Sequence, residues 1–306
     1  ILCVNGMECG GIHGARQELV LLLDNIHPWG QGVRAFLFAS VGDMLGPTIR
    51  RGLNLAQKPE KKERQMTEPS VLCITQARMT SSRLPGKVME RAGGNSVLGW
   101  HLGRLQRSRR ISRLVVASVQ GGESQPICDL AQKMGVPVVL GDEEDVLGRF
   151  ALAAEQFPAD IIVRVTSDCP LIDPDLVDQT VDLFCAGGAD YASNGGGGYP
   201  RGFDVEVFSA SVLRQTQEQA VSMYEREHVT PYIYQHPDRY RLMTLGGGRG
   251  ERYRLCVDEP DDLALVRLVL AELADQPNFG WEDVVRLMDA HPDWVALNAQ
   301  VMQKTA

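Results

Sequence analysis

Val71-Leu72-Cys73-Ile74-Thr75 runs straight into Gln76-Ala77-Arg78-Met79-Thr80-Ser81-Ser82-Arg83-Leu84-Pro85-Gly86-Lys87, and the fold turns on this passage. The first five residues are a short apolar run that reads as a buried strand. The polar loop that follows holds two arginines, two serines, a threonine, a glycine and a lysine. Backbone N–H groups and hydroxyls can contact phosphate oxygens while the cations neutralise their charge, so the loop reads as a phosphate cradle. It is not a Walker A loop: Gly86-Lys87 lacks a following Ser or Thr, and Ser81 stands where the first glycine would be. A solvated basic connection between a strand and a helix has the same composition, and the stretch alone leaves both readings open.

Downstream, strand and helix patterns alternate. Gly99 to Arg107 has helical spacing, followed by the apolar strand Leu114 to Val119. Pro126 to Met134 reads as a helix closed by Gly135, and Val136 to Leu140 as a short strand. Asp145 to Gln156 is helical, Ile161 to Thr166 a strand, and Pro174 to Cys185 a helix with Asp173 as N-cap and Pro174 at its first position. Such alternation implies an α/β fold with a mostly parallel central sheet and helices on both faces. Ligands bind beyond the carboxyl ends of the strands in such sheets, which is where the basic loop sits.

The second half is less regular. Asn194 to Tyr199 carries four consecutive glycines and reads as a mobile loop. Phe203 to Phe208 alternates as a strand does, with Asp204 and Glu206 on one face. Tyr240 to Leu245 and Tyr253 to Val257 read as strands, and Pro260 to Leu273 as a helix whose first-turn Asp261 and Asp262 oppose its dipole. Glu282 to Met288 reads as a last helix before a frayed tail.

The chain has 306 residues, a net charge of −8 and seven scattered cysteines, none in a Cys-x-x-Cys pair. The acidic balance argues against a protein that coats nucleic acid, and the cysteine pattern against a zinc ribbon or disulfide framework. No apolar run approaches the roughly 20 residues that span a bilayer, and no secretory leader is visible, so a cytoplasmic setting is expected. Residues 1–65 differ from the rest and end in the charged run Gln57 to Gln65, just before Met66. The tail of an upstream domain or an over-extended start is favoured there over a true extension. The working domain is expected over 66–280, with a C-terminal helix and tail over 281–306.

Two acidic constellations complete the pattern. Arg164-Val165-Thr166-Ser167-Asp168-Cys169-Pro170-Leu171-Ile172-Asp173-Pro174 puts Asp168 at the carboxyl end of a predicted central strand. Arg254-Leu255-Cys256-Val257-Asp258-Glu259-Pro260-Asp261-Asp262-Leu263 puts Asp258 at the end of another. Taken singly, each Asp also reads as a helix cap before a proline. Two carboxylates at one sheet edge, facing a phosphate loop, are what a Mg²⁺ ion needs, since it takes one or two carboxylates and completes its shell with phosphates and water.

These stretches, with Gly202 to Phe208 and Arg226-Glu227-His228-Val229-Thr230-Pro231-Tyr232, follow one another in an order that resembles the cytidylyltransferase family. That family includes the CMP-sugar synthetases for sialic acid and KDO, and the chain is most similar to its spore-coat-polysaccharide branch. The resemblance spans roughly residues 70–275 and implies a Rossmann-like nucleotide-diphospho-sugar transferase fold. The implied reaction joins CTP and an acidic or modified sugar to give a CMP-sugar and pyrophosphate, with Mg²⁺ on Asp168 and Asp258. By the same resemblance Arg78, Arg83 and Lys87 hold the triphosphate, with Gln76, Ala77 and Ser82 in the nucleotide site, and Arg78, Lys87 and Asp168 act in catalysis. Arg149, Asp204, Glu206 and His228 would meet the sugar, though a solvent-facing strand also explains Asp204 and Glu206, and a helix start His228. Ser118 stands in a loosely matching segment and is assigned to the nucleotide base or ribose. A homodimer is implied as well. A glycosyltransferase of similar fold and a non-catalytic nucleotide-binding module are the alternatives.

Overall fold

The computed structural model describes residues 68–302 except Pro277; the readings of residues 1–65 fall outside the described residues. Strand β1 (Val71–Gln76) is buried along five of its six positions, as an uninterrupted apolar run requires. After the polar loop, a small ribbon of β2 (Arg91–Ala92) and β3 (Asn95–Ser96) leads into α1 (Val97–Leu105). Then come β4 (Arg113–Val119), α2 (Gln125–Lys133), β5 (Val138–Gly141), α3 (Val146–Gln156), β6 (Ile161–Thr166) and α4 (Pro174–Gly187). The second half holds β7 (Tyr191–Ser193), β8 (Glu206–Ser209), α5 (Ala210–Gln219), α6 (Met223–His228), α7 (Pro231–Tyr234) and β9 (Leu242–Thr244). The helices α8 (Pro260–Glu272), α9 (Trp281–Ala290) and α10 (Pro292–Val295) close the described chain.

Side chains set the helix starts. Ser96, Asp145 and Asp173 accept from the N–H groups of Gly99, Gly148 and Asp175 at 3.0, 2.8 and 2.8 Å, satisfying donors that a first turn leaves unpaired. The other carboxylate oxygen of Asp173 accepts from Trp281 N–H at 2.8 Å, so one residue caps α4 and anchors α9.

Seven strands form the central sheet in the order β5-β4-β1-β6-β8-β7-β9. The pairs β5–β4, β4–β1, β1–β6 and β7–β9 are parallel, whereas β8 runs antiparallel to both β6 and β7. Alternate residues of β1 face opposite layers. Val71 and Cys73 pack with Leu98, Leu102, Ile127 and Val177 of α1, α2 and α4. Leu72 and Ile74 pack with Leu147, Phe150, Leu213 and Ile233 of α3, α5 and α7. A third cluster joins Phe203, Leu255 and Val257 to Leu263, Val266, Val284 and Met288 of α8 and α9. The chain leaves β1 for β4 and β5 on one side, then returns to place β6 on the other. The strand order therefore reverses between the loops after β1 and β6, which opens a crevice at the carboxyl edge. Among the described residues no helix is long and apolar enough to cross a membrane.

Two readings are corrected. Tyr253 to Val257 is not a sheet strand: apart from a bridge between Arg254 and Arg201 it is extended chain packed on the third cluster. Nor is the tail loose at Asn298, which is buried and donates to the Arg254 carbonyl at 2.9 Å and to Asp262 at 2.8 Å. Within the four-glycine stretch, Gly197 and Gly198 answer close backbone approach, since a Cβ on them would lie 1.9 Å from the Leu245 carbonyl oxygen and 2.5 Å from that of Gly248.

Beneath the crevice, His101 of α1 is fully buried, with Thr75 Oγ1 at 2.9 Å from Nε2 and the Cys169 carbonyl at 2.9 Å from Nδ1. Burial pushes its imidazole pKa down to about 4, against a partial offset from that carbonyl. The folded state therefore holds the neutral ring while the unfolded chain protonates near pH 6.5. This contribution is full above about pH 6.5 and is lost as pH falls towards 4, a change of up to roughly 3 kcal/mol. Urea denaturation at about pH 7.5 and 4.5 should show His101→Asn losing less stability on acidification than wild type. An equal loss in both proteins would contradict the assignment.

Candidate active site

The loop after β1 is wound on one carbonyl. Met79 O accepts from Ser81 N–H at 3.1 Å and from Gly86 N–H at 2.8 Å. Gly86 has φ +71°, a left-handed conformation that glycine takes without Cβ strain, and it turns the chain so that Lys87 points back into the crevice. The resulting cleft has a volume of about 900 Å³.

At its floor, Lys87 Nζ lies 2.7 Å from Asp168 Oδ2 and 2.7 Å from Asp258 Oδ1. Asp168 follows β6, next to β1 in the sheet. Asp258 is not at the end of a sheet strand. It is held by Arg83 Nη2 at 2.9 Å and Arg254 Nη2 at 2.6 Å. Arg254 is fixed by Asp262, which is fully buried and also accepts from the N–H groups of Asp258 and Glu259 at 3.0 Å each. Asp262 does stand in the first turn of α8, where it opposes the helix dipole, and it is also the keystone beneath the site, a role its sequence position did not show. Burial alone would lower the Lys87 pKa, but the two carboxylates outweigh it and hold the ammonium charged well above its ordinary range. Burial likewise works to raise Asp168 and Asp258, and Lys87 overrides it and keeps both ionised. The thiols of Cys169 and Cys256 also border the cleft, and burial raises both, Cys256 to about 12, so they stay protonated and uncharged.

Nearer the mouth, Arg78 faces Glu143 at 3.8 Å and Glu227 at 3.7 Å, carboxylates from two different walls. Arg149 is 2% exposed and donates to the Glu143 carbonyl at 2.9 Å, and burial, then the nearby Arg78, lowers its pKa. The opposite wall carries Glu206, bound by Arg164, by Tyr191 OH at 2.7 Å and by Thr230 Oγ1 at 2.5 Å. Those bonds occupy its carboxylate, so Glu206 braces this wall. Thr230 is placed by a three-residue γ-turn centred on Val229, with φ +70° and ψ −55°, closed by Thr230 N–H to the His228 carbonyl at 2.8 Å. A buried β-branched residue in that conformation is strained, and the closed turn holds His228 at the cleft with Thr230 buried behind it. Arg226 Nε reaches Asp145 at 2.9 Å, tying α6 to the cap of α3.

Gln76, Ala77, Arg78, Ser82, Arg83, Lys87, Asp168 and Asp258 all line this cleft, as do Arg149, Asp204, Glu206 and His228. Ser118 does not join them: it is fully buried and its hydroxyl meets Ser124 Oγ at 3.2 Å. The backbone N–H of Ala77 is already donated to the Ala117 carbonyl at 3.0 Å. Arg164, Tyr191 and Thr230 went unassigned in the sequence. Arg164 left a trace there, as the one charge inside the apolar strand Ile161 to Thr166.

A sequence model of the family described as cytidylyltransferase matches residues 72–276. An uncharacterized protein of Methanocaldococcus jannaschii is 33% identical over 238 residues, covering 77% of this chain and 97% of that one. Spore coat polysaccharide biosynthesis protein SpsF of Bacillus subtilis is 32% identical over 231 residues, covering 73% and 95% of the two chains. The solved structure of a cytidylyltransferase from Leptospira borgpetersenii has a TM-score of 0.71 and 30% identity, and covers 78% of this chain and 100% of that one. The family match starts inside β1 and ends beyond α8, so it takes in the loop of Lys87 together with both of the aspartates it bridges, and the chain belongs to the cytidylyltransferase family.

Proposed function

We propose that the cleft binds CTP at the end lined by Arg78, Arg83 and Lys87 and a sugar at the end walled by Asp204, Glu206, His228 and Tyr234, and that it makes a CMP-sugar for polysaccharide assembly. A sugar hydroxyl oxygen forms a bond to the α-phosphorus, the bond from that phosphorus to the bridging oxygen of pyrophosphate breaks, and the hydroxyl proton leaves for solvent. Arg78, Arg83 and Lys87 neutralise the triphosphate, and Gln76 and Ala77 border the nucleoside. The observation that carries this reading is Lys87, a charged ammonium held 2.7 Å from two carboxylates at the edge where the strand order reverses. Catalysis by such a site is positioning and charge neutralisation, with little covalent work for the protein.

The donor set fits Mg²⁺. Asp168 and Asp258 present hard oxygens around one point, and among the described residues no group of three or more His, Cys, Asp or Glu could hold a metal without outside ligands. Two carboxylates completed by phosphate oxygens and water are a usual Mg²⁺ shell. When bound, the ion supplies positive charge to the α-phosphate and the departing pyrophosphate. Pyrophosphate release should be measured with CTP, UTP, ATP and GTP against a panel of acidic, neutral and amino sugars, with and without Mg²⁺. Release that is greatest with CTP and falls to background in EDTA is expected. Equal release from all four nucleotides would overturn the assignment of CTP.

A further inference from the structure

We propose that Lys87 and a divalent cation compete for the same two carboxylates, so that the site takes up its metal only with the triphosphate that draws Lys87 away. The inference rests on the nucleotidyl-transfer reading and adds an order of events to it. Two observations carry it. Lys87 Nζ makes two contacts of 2.7 Å, one to each aspartate, and so occupies the point an ion bridging them would need. The surrounding charge is already nearly balanced, with Lys87, Arg83 and Arg254 against Asp168, Asp258, Glu259 and Asp262. A dication entering that cluster alone would have to displace Lys87 from carboxylates that are already paired, in a partly buried setting where charges are weakly screened.

A triphosphate changes the balance. It brings several negative charges and oxygen acceptors for an ammonium, and Lys87 sits on a flexible stem that can turn from the aspartates to phosphate. Arg83 can follow, because its bonds to Asp258 at 2.9 Å and Glu259 at 3.2 Å leave it on the cleft surface. Arg254 cannot, since buried Asp262 grips it at 3.0 Å. Asp258 therefore keeps one fixed cation, while Asp168 gives up its ion pair with Lys87. Metal binding and nucleotide binding are then coupled through one side chain, and the coupling is reciprocal.

The test uses Mn²⁺ alone, followed by its paramagnetic resonance signal, on the full chain without nucleotide. Wild type should bind Mn²⁺ weakly. Lys87→Met leaves two facing carboxylates with less compensation and should bind it roughly tenfold tighter or more, in the usual range of coupling between sites. Lys87→Arg keeps the cation and should remain close to wild type, and Asp168→Asn added to Lys87→Met should abolish the gain. Tight Mn²⁺ binding by wild type, or equal affinity in wild type and Lys87→Met, overturns the proposal. The wild-type measurement stands even if Lys87→Met fails to fold. Failure of the CTP reading would be seen separately, as absence of pyrophosphate release, since the metal titration contains no nucleotide.

Discussion

Asp168→Asn is expected to lower turnover by roughly 10²- to 10³-fold, the scale on which losing one preorganised charge partner is felt in a water-excluded site. The substitution keeps shape and removes a charge. Lys87 would retain Asp258 at 2.7 Å, so the loop and the fold should persist. What is lost is the second negative charge facing Lys87. Lys87→Ala should cost at least as much, because it withdraws the cation nearest both aspartates. Pyrophosphate release rates, with circular dichroism and thermal melting as controls, provide the check. A variant that folds normally and keeps more than about a tenth of wild-type turnover would show that the site has been misassigned.

Asp262→Ala is expected to be the most destabilising of the site-region changes, by roughly 3–5 kcal/mol. Its carboxylate is fully buried and accepts from Arg254 Nε at 3.0 Å, from the N–H groups of Asp258 and Glu259, and from Asn298 at 2.8 Å. Truncation leaves a guanidinium, two backbone donors and an amide without this acceptor, and unsatisfied buried donors carry their full desolvation penalty. At about 2–4 °C per kcal/mol for a domain of this size, the melting temperature should drop by roughly 10 °C. Activity should fall with it, because Asp258 is positioned through the same residue. A loss below about 1 kcal/mol in urea denaturation would mean that Arg254 finds another partner.

The first half of the fold was legible because β1, β4 and β6 are covered on both faces, which forces uninterrupted apolar runs that local pattern detects. The capping residues Asp145 and Asp173 were legible for a similar reason: a helix start is satisfied within a few residues of chain. Tyr253 to Val257 shows where that logic ends. Its alternating Tyr253, Leu255 and Val257 are buried as a strand's would be, but they pack on α8 and α9, and the sequence does not say which backbone supplies hydrogen bonds. Asp262 was only half legible for a related reason. Its position in a first helical turn suits the dipole, while its true partner, Arg254, precedes the helix on extended chain.

In the site, the cations of the basic loop and the two aspartates could be found because each follows a strand or precedes a proline in a recognisable order. The brace around Glu206 could not. Its partners Arg164, Tyr191 and Thr230 lie on β6, on β7 and beside α7, and only the sheet and the strained turn at Val229 bring them together. Ser118 failed in the opposite direction: its place in the sequence suited a nucleotide contact, but its side chain faces the start of α2 and meets Ser124.

Transfer of a CMP group to a sugar in this cleft is tested most directly by incubating the protein with CTP, Mg²⁺ and the sugar panel and analysing the products by mass spectrometry alongside pyrophosphate. A species with the mass of a CMP-sugar is expected, formed one for one with pyrophosphate and strongly reduced with Asp168→Asn. Consumption of a nucleotide-sugar by the protein, with no CMP-sugar formed from CTP and any sugar of the panel, would contradict it.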